Sequence, residues 1–288
     1  MADLTTQLGP VTLQGPIIAA SGTVGSVIDF ADTIDFSIYG AAVAKSVAPE
    51  AWDGRIPPRI GPVDGGMMNG IGIQNPGIDR WLEEVGPNLD DIRCPVWGSA
   101  VAHDIEGFAH VAAKLDSGPI DAIEVNLSCP NLDGSPFALD PALSAEVMAS
   151  VREATSKPIG AKLSPDAMPV ADVASAVVEA GADWLVMGNT VMGAAINPRT
   201  RRPILSGVVG GYSGAPIRPI AVRCVLEIRE ALPDTPIIGC GGVSTLDHVL
   251  EYTLAGADAV GIGSAHLDTP RVVSRIMKDL NRYLDREG

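Results

Sequence analysis

Residues 179–188, EAGADWLVMG, and 254–263, LAGADAVGIG, repeat one pattern 75 positions apart. Each reads as a helix end, a Gly-Ala-Asp turn, a short apolar run and a glycine where that run meets a loop. The runs do not alternate with polar residues, which suits a parallel strand covered on both faces. Six more such runs lie at 17–20, 41–45, 95–99, 122–125, 159–163 and 237–239, and with 184–187 and 259–262 they make eight. The segments between them carry helix punctuation. Asp140-Pro141 sets an N-cap residue before a proline at the first position of a helix running towards Thr155. Segments 170–179 and 245–254 stop at Gly181 and Gly256, residues that end helices readily. Eight strands alternating with helices predict an α/β fold, a TIM (β/α)8 barrel, in a single domain spanning 1–288. The stretch near 48–76 is too long for an ordinary barrel loop and is expected to be an insertion over the mouth. The stretch near 129–141, with glycine and proline hinges in NLDGSPFALDP (131–141), is expected to be a mobile active-site loop.

The chain has 288 residues, 46% of them apolar, enough for one such barrel and its core. Its formal charge of −15 argues against nucleic acid or an anionic membrane as partner, since both would repel it. No stretch approaches the roughly 20 apolar residues that cross a bilayer. The first sixteen residues, MADLTTQLGPVTLQGP, lack the basic patch and apolar run of a signal peptide, so a cytoplasmic enzyme is expected. Four cysteines (94, 129, 224, 240) and four histidines (103, 110, 248, 266) show no metal-ligand spacing, so neither a metal site nor an iron–sulfur cluster is predicted.

Functional groups of a TIM barrel come from the C-terminal ends of its strands. Taken in chain order, those ends give Ser21-Gly22-Thr23, Lys45-Ser46, Asn126 to Asn131, Lys162, Gly188-Asn189-Thr190, Gly241-Gly242 and Gly263-Ser264. The last two loops offer unhindered backbone N–H groups where barrels commonly hold phosphate, although glycines there also serve simply to turn the chain. Lone cysteines are usually buried apolar filler, and Cys94, Cys224 and Cys240 are read so. Cys129 differs, standing in a polar segment just past a strand end, where a thiolate can act as base. Lys45 and Lys162 interrupt apolar strand ends, which is costly unless an anion or a Schiff base occupies them. Asn69, Asn126, Asn131 and Asn189, all near the mouth, suit a flat heterocycle rich in carbonyl and amide groups.

AASGTVG (19–25), KS (45–46), NGIGIQNPG (69–77), EVNLSCPN (124–131) and AKLSP (161–165) resemble segments of the dihydroorotate dehydrogenases. So do GNTVMG (188–193), GGYSG (210–214), GCGGV (239–243) and GIGSA (261–265). The resemblance implies a barrel that binds FMN at its mouth and oxidises dihydroorotate to orotate. It implies FMN ligands at Ser21, Lys45, Ser46, Ser99, Asn126, Lys162, Gly188, Gly214, Gly241, Gly242, Gly263 and Ser264. Substrate contacts would come from Lys45, Asn69, Gly70, Ile71, Gly72, Ile73, Asn126, Asn131, Asn189 and Thr190. Cys129 would remove a proton from C5 while C6 gives hydride to the flavin, and Lys162 would stabilise the reduced ring. Cysteine rather than serine as base resembles the soluble class 1 enzymes; IGIQNPG and NTVMG resemble their NAD-linked B form. That form implies a homodimer, or a heterotetramer with a subunit carrying FAD and an iron–sulfur cluster. Ser99 stands where the family usually has asparagine, Gly188 replaces a larger apolar residue and Tyr212 a leucine. The competing readings are a flavoprotein for another dihydropyrimidine, a phosphate-binding lyase or isomerase using Lys45 or Lys162 as a Schiff base, and a non-catalytic scaffold subunit.

Overall fold

The computed structural model describes residues 3–128 and 137–287. Eight parallel strands close into a barrel: β1 (Ile17–Ala19), β2 (Ala41–Val43), β3 (Val96–Ala100), β4 (Ala122–Asn126), β5 (Ile159–Leu163), β6 (Trp184–Met187), β7 (Ile237–Cys240) and β8 (Ala259–Ile262). Spatial order follows chain order, and β8 pairs with β1 to close the ring. Around it lie α1 (Ile78–Glu84), α2 (Ile105–Asp116), α3 (Pro141–Ala154), α4 (Val170–Glu179), α5 (Arg218–Ala231), α6 (Leu246–Leu254), α7 (Ala265–Asp268) and α8 (Val272–Glu287). The expected single-domain (β/α)8 barrel is therefore the fold. Strand ends differ from expectation by a residue or two. Lys45, expected to close β2, lies beyond it, although the chain still follows β3 through Ala44 N–H to Trp97 O (2.9 Å) and Val47 N–H to Ser99 O (2.9 Å).

The repeated Gly-Ala-Asp turn has a mechanical use. The Asp183 carboxylate, just before β6, accepts the Ile159 N–H at the start of β5 (2.8 Å) and is paired with Arg152 of α3. The Asp258 carboxylate does the same one β/α unit pair later, accepting the Ile237 N–H of β7 (2.8 Å) and pairing with Arg229 of α5. Asp121 repeats the backbone half of the device between β4 and Val96 of β3 (2.8 Å), a third copy the sequence pattern does not show. Each charge-assisted bond sets the register of one strand against its neighbour.

Outward-facing strand residues such as Ile17, Ile123, Leu185 and Val260 pack under the helices in one large core. Inward-facing ones, among them Ile18, Val43, Trp97, Trp184 and Ile238, form a second core inside the ring. Trp97 and Trp184 pack there with ring centroids 4.9 Å apart. A Cβ at Gly160 would overlap the Trp184 indole, so glycine alone leaves room for that ring. A hairpin of Thr6–Leu8 and Val11–Leu13 closes the N-terminal end, adding Leu8 and Leu13 to the inner core.

Over the other end lies an antiparallel sheet ordered Val191–Ala194, Val209–Gly214, Gly66–Asn69, Ile60–Val63. The 48–76 segment thus supplies a hairpin, and its partners come from the β6–α5 connection, which carries no strand in the sequence reading. Among the described residues no helix is long and apolar enough to cross a membrane. Nor do any three His, Cys, Asp or Glu side chains among them form a metal-binding group.

Candidate functional site

Between the C-terminal strand ends and the antiparallel sheet is a cavity of about 270 Å³. Sixteen of the expected site residues line it: Ser21, Lys45, Ser46, Asn69, Ile71, Ile73, Asn126, Lys162, Gly188, Asn189, Thr190, Gly214, Gly241, Gly242, Gly263 and Ser264. Ser99, Gly70 and Gly72 are not in its wall. Cys129 and Asn131, and with them most of the expected mobile loop, lie outside the described residues. At the far end of that segment Asp140 caps α3, its carboxylate accepting the Ala142 and Leu143 N–H groups.

Five polar side chains form one hydrogen-bonded chain across the strand ends. Ser99 and Ser46 share a bond of 2.8 Å between their hydroxyls, and Asn126 Nδ2 donates to Ser46 Oγ at 3.0 Å. Ser128 Oγ donates to Asn126 Oδ1 (3.2 Å) and accepts from Asn189 Nδ2 (2.9 Å). Asn189 Oδ1 in turn accepts the Thr190 N–H at 2.8 Å. Ser46, Ser99, Asn126 and Ser128 are all buried. Buried amides and hydroxyls are held this rigidly because any of them left unpaired would be costly. Ser99 therefore stands one layer behind the cavity, orienting Ser46. Ser128, which the sequence reading passed over, anchors the end of the strand segment that leads into Cys129.

Beneath this chain Lys162 Nζ and Glu124 Oε1 lie 3.5 Å apart, with side-chain exposures of 6% and 3%. The cost of a lysine inside the barrel, which the sequence reading assigned to a bound anion, is thus partly met by the protein itself. Cys240, read as buried filler, is buried in the inner core, two residues after inward-facing Ile238, and there it also forms part of the cavity wall. Burial pushes its thiol up to about 11, against the opposing pull of Lys162.

The glycine loops after β7 and β8 do approach the cavity with bare backbone. Gly242 has φ +67°, and a Cβ there would lie 2.8 Å from Gly214 O, so the loop closes only with glycine. At Gly263 a Cβ would meet nothing nearer than 3.8 Å, leaving its backbone open to a ligand. Tyr252 Oη steadies the first loop by donating to Gly241 O at 2.8 Å. On the opposite wall Ile73 holds φ +50°, a strained conformation for a β-branched residue. Buried Asn75 enforces it, donating to Ile73 O (2.8 Å) while accepting the Ala48 and Gly77 N–H groups (3.0 Å each).

Behind Ser264, buried His266 has its ordinary basicity pushed down to about 4 by burial. Thr23 spends its hydroxyl proton on Ala20 O (2.8 Å), so towards His266 Nδ1 it can only accept, at 3.5 Å. That places the imidazole proton on Nδ1 and leaves Nε2 to accept from Tyr39 Oη at 2.9 Å.

A family model described as dihydroorotate dehydrogenase matches residues 3–284. The chain is 40% identical over 289 residues to the "Dihydroorotate dehydrogenase B (NAD(+)), catalytic subunit" of Geotalea uraniireducens (strain Rf4), covering 99% of this chain and 94% of that one. A protein of the same description from Alkaliphilus metalliredigens (strain QYMF) is 36% identical over 286 residues, covering 99% and 94% of the two chains. Another, from Geobacillus kaustophilus (strain HTA426), is 38% identical over 291 residues, covering 100% and 93%.

Proposed function

The chain belongs to the dihydroorotate dehydrogenase family, and on that premise we propose that it oxidises (S)-dihydroorotate to orotate with FMN in pyrimidine biosynthesis. The observation that carries this reading is the Ser46–Asn126–Ser128–Asn189 chain at the cavity, fixed above a buried lysine and joined in sequence to Cys129.

The residues present suit a flavin mononucleotide. Gly241, Gly242, Gly263 and Ser264 offer backbone N–H groups to a phosphate, and the open face at Gly263 leaves room for one. Ser21, Lys45, Ser46, Asn126, Lys162, Gly188 and Gly214 would hold the ring, Ser99 acting through Ser46. When bound, FMN accepts the hydride that leaves C6 of the substrate. Cys129 takes the C5 proton, so the electron pair of that C–H bond becomes the new C5=C6 double bond. The amides of Asn69, Asn126, Asn131 and Asn189, with Lys45, Thr190 and the 70–73 backbone, hold the pyrimidine ring and its carboxylate. Lys162, which lines the cavity, would favour negative charge on a reduced flavin bound there.

The relatives are named as catalytic subunits, which implies a partner. We extend this to a cytoplasmic homodimer that passes electrons to NAD through a subunit holding FAD and an iron–sulfur cluster. Purified protein should be yellow, and anaerobic dihydroorotate should bleach it. Protein without flavin, or bleaching by dihydrouracil in place of dihydroorotate, would defeat the assignment. For Lys162 the Schiff-base reading is disfavoured by its pairing with Glu124, which occupies the amine that such chemistry needs free.

A further inference from the structure

Among the described residues, Glu124 and Lys162 are the only Asp, Glu, Lys or Arg residues that are buried, and they face each other inside the barrel. They stand on adjacent strands, where the register pairs Glu124 with Gly160 and Asn126 with Lys162. Glu124 therefore sits one inward position deeper than Asn126. Lys162 and Asn126 line the cavity; Glu124 does not. Whatever Glu124 does to a ligand, it does through Lys162.

We propose that Glu124 is a positioning residue that holds Lys162 Nζ beneath the flavin and keeps the flavin potential low enough to pass electrons to a weak oxidant such as a nicotinamide. This rests on the flavin reading of the cavity. The physical argument concerns net charge. A lone buried ammonium would present a full positive charge to the ring and strongly favour its reduced, anionic form. Paired with a carboxylate on its far side, the same ammonium presents only the positive end of a dipole. Reduction is still favoured, but less, and the reduced flavin gives up its electrons more readily. The pair also explains why an acidic residue interrupts an apolar strand at a position that does not line the cavity.

The test is the midpoint potential of flavin-loaded wild type, Glu124→Gln and Glu124→Asp, by anaerobic equilibration with a reference dye. Glu124→Gln keeps the shape and an acceptor for Nζ but removes the charge. Its potential should move positive, raising the reduced-to-oxidised flavin ratio at a fixed dihydroorotate-to-orotate ratio on the order of tenfold. Glu124→Asp, which keeps the charge one methylene further away, should fall between the two. If Glu124→Gln takes up no flavin, the Asp variant decides alone, by the same direction of shift. A purely structural role predicts weaker FMN retention and a lower melting temperature with an unmoved potential, and that result overturns the proposal. Wild type that fails to bind FMN at all would instead sink the flavin reading on which it stands.

Discussion

At the N-terminal end of the barrel, Leu8 and Leu13 close against an inner core whose largest members are Trp97 and Trp184. At the C-terminal end, the same strands present Ser46, Asn126, Ser128 and Asn189 in one hydrogen-bonded chain above a buried ion pair. The first end gains stability from apolar burial and asks little of geometry. The second contributes little net stability, since buried ion pairs and polar networks mostly offset their own desolvation. What it gains is fixed positions. The division teaches where mutations should separate stability from chemistry: damage at the closed end should show in unfolding, damage at the open end in turnover.

The hardest blow to the comparison would come from Cys129→Ala. Loss of a general base should slow anaerobic flavin reduction by dihydroorotate about 10²- to 10⁴-fold, read by stopped-flow absorbance, with thermal unfolding unchanged. A variant that bleaches at the wild-type rate would remove Cys129 from the chemistry. The mirror experiment is Leu13→Ala, which empties fully buried volume at the closed end. It should cost about 2–5 kcal/mol in denaturant unfolding while leaving the rate of flavin reduction within about twofold. Slowed reduction in a folded Leu13→Ala protein would mean the two ends are coupled.

The ring of strands was largely legible, because a buried parallel strand must be an apolar run, and at β6 and β8 a Gly-Ala-Asp turn marks where an aspartate pins the preceding strand. The inner plug was not. Leu8 and Leu13 sit in a polar, glycine-punctuated stretch whose three-residue strands are too short to show a period. At the open end, the cavity-lining residues were found from strand-end position and family resemblance together. Glu124, Ser128, Asn75 and Cys240 were missed for a common reason: their roles depend on which side chain faces them across the barrel. One clue was available for Glu124, an acid inside the apolar run AIEVN (122–126), where burial demands a cation.

A smaller effect should appear with pH, through His266 at the open end. Its basicity falls from 6.5 to about 4 on folding, so between those values the unfolded chain binds a proton that the folded one refuses. Stability from this group is complete above about pH 6.5 and is lost as the pH falls towards 4, by about 3 kcal/mol across the window. Denaturant titrations from pH 7 to 4 should show that slope in wild type and a shallower one in His266→Asn. Parallel slopes would mean that other groups dominate the acid limb.

The smallest expected effect is also the sharpest probe of the open end. Ser128→Ala deletes one hydroxyl that donates to Asn126 and accepts from Asn189. The cost to the barrel should be small, about 1 kcal/mol, because the lost group adds little apolar burial and each partner keeps one bond. Asn126 Nδ2 still donates to Ser46 and Asn189 Oδ1 still accepts from Thr190, although Asn126 Oδ1 loses its donor. Two amides meant to meet a substrate ring would nevertheless lose their common anchor, and Cys129 is the next residue in the chain. One neutral hydrogen bond is worth about 1 kcal/mol, so kcat/KM for dihydroorotate should fall about five- to tenfold. FMN affinity should fall less than kcat/KM, since Ser46 and Lys162 are untouched and Asn126 keeps its bond to Ser46. A loss confined to kcat/KM would show that rigidity of the polar chain, rather than its bulk stability, is what the open end contributes. Equal losses in melting temperature and FMN binding would return Ser128 to the scaffold and blur the division between the two ends.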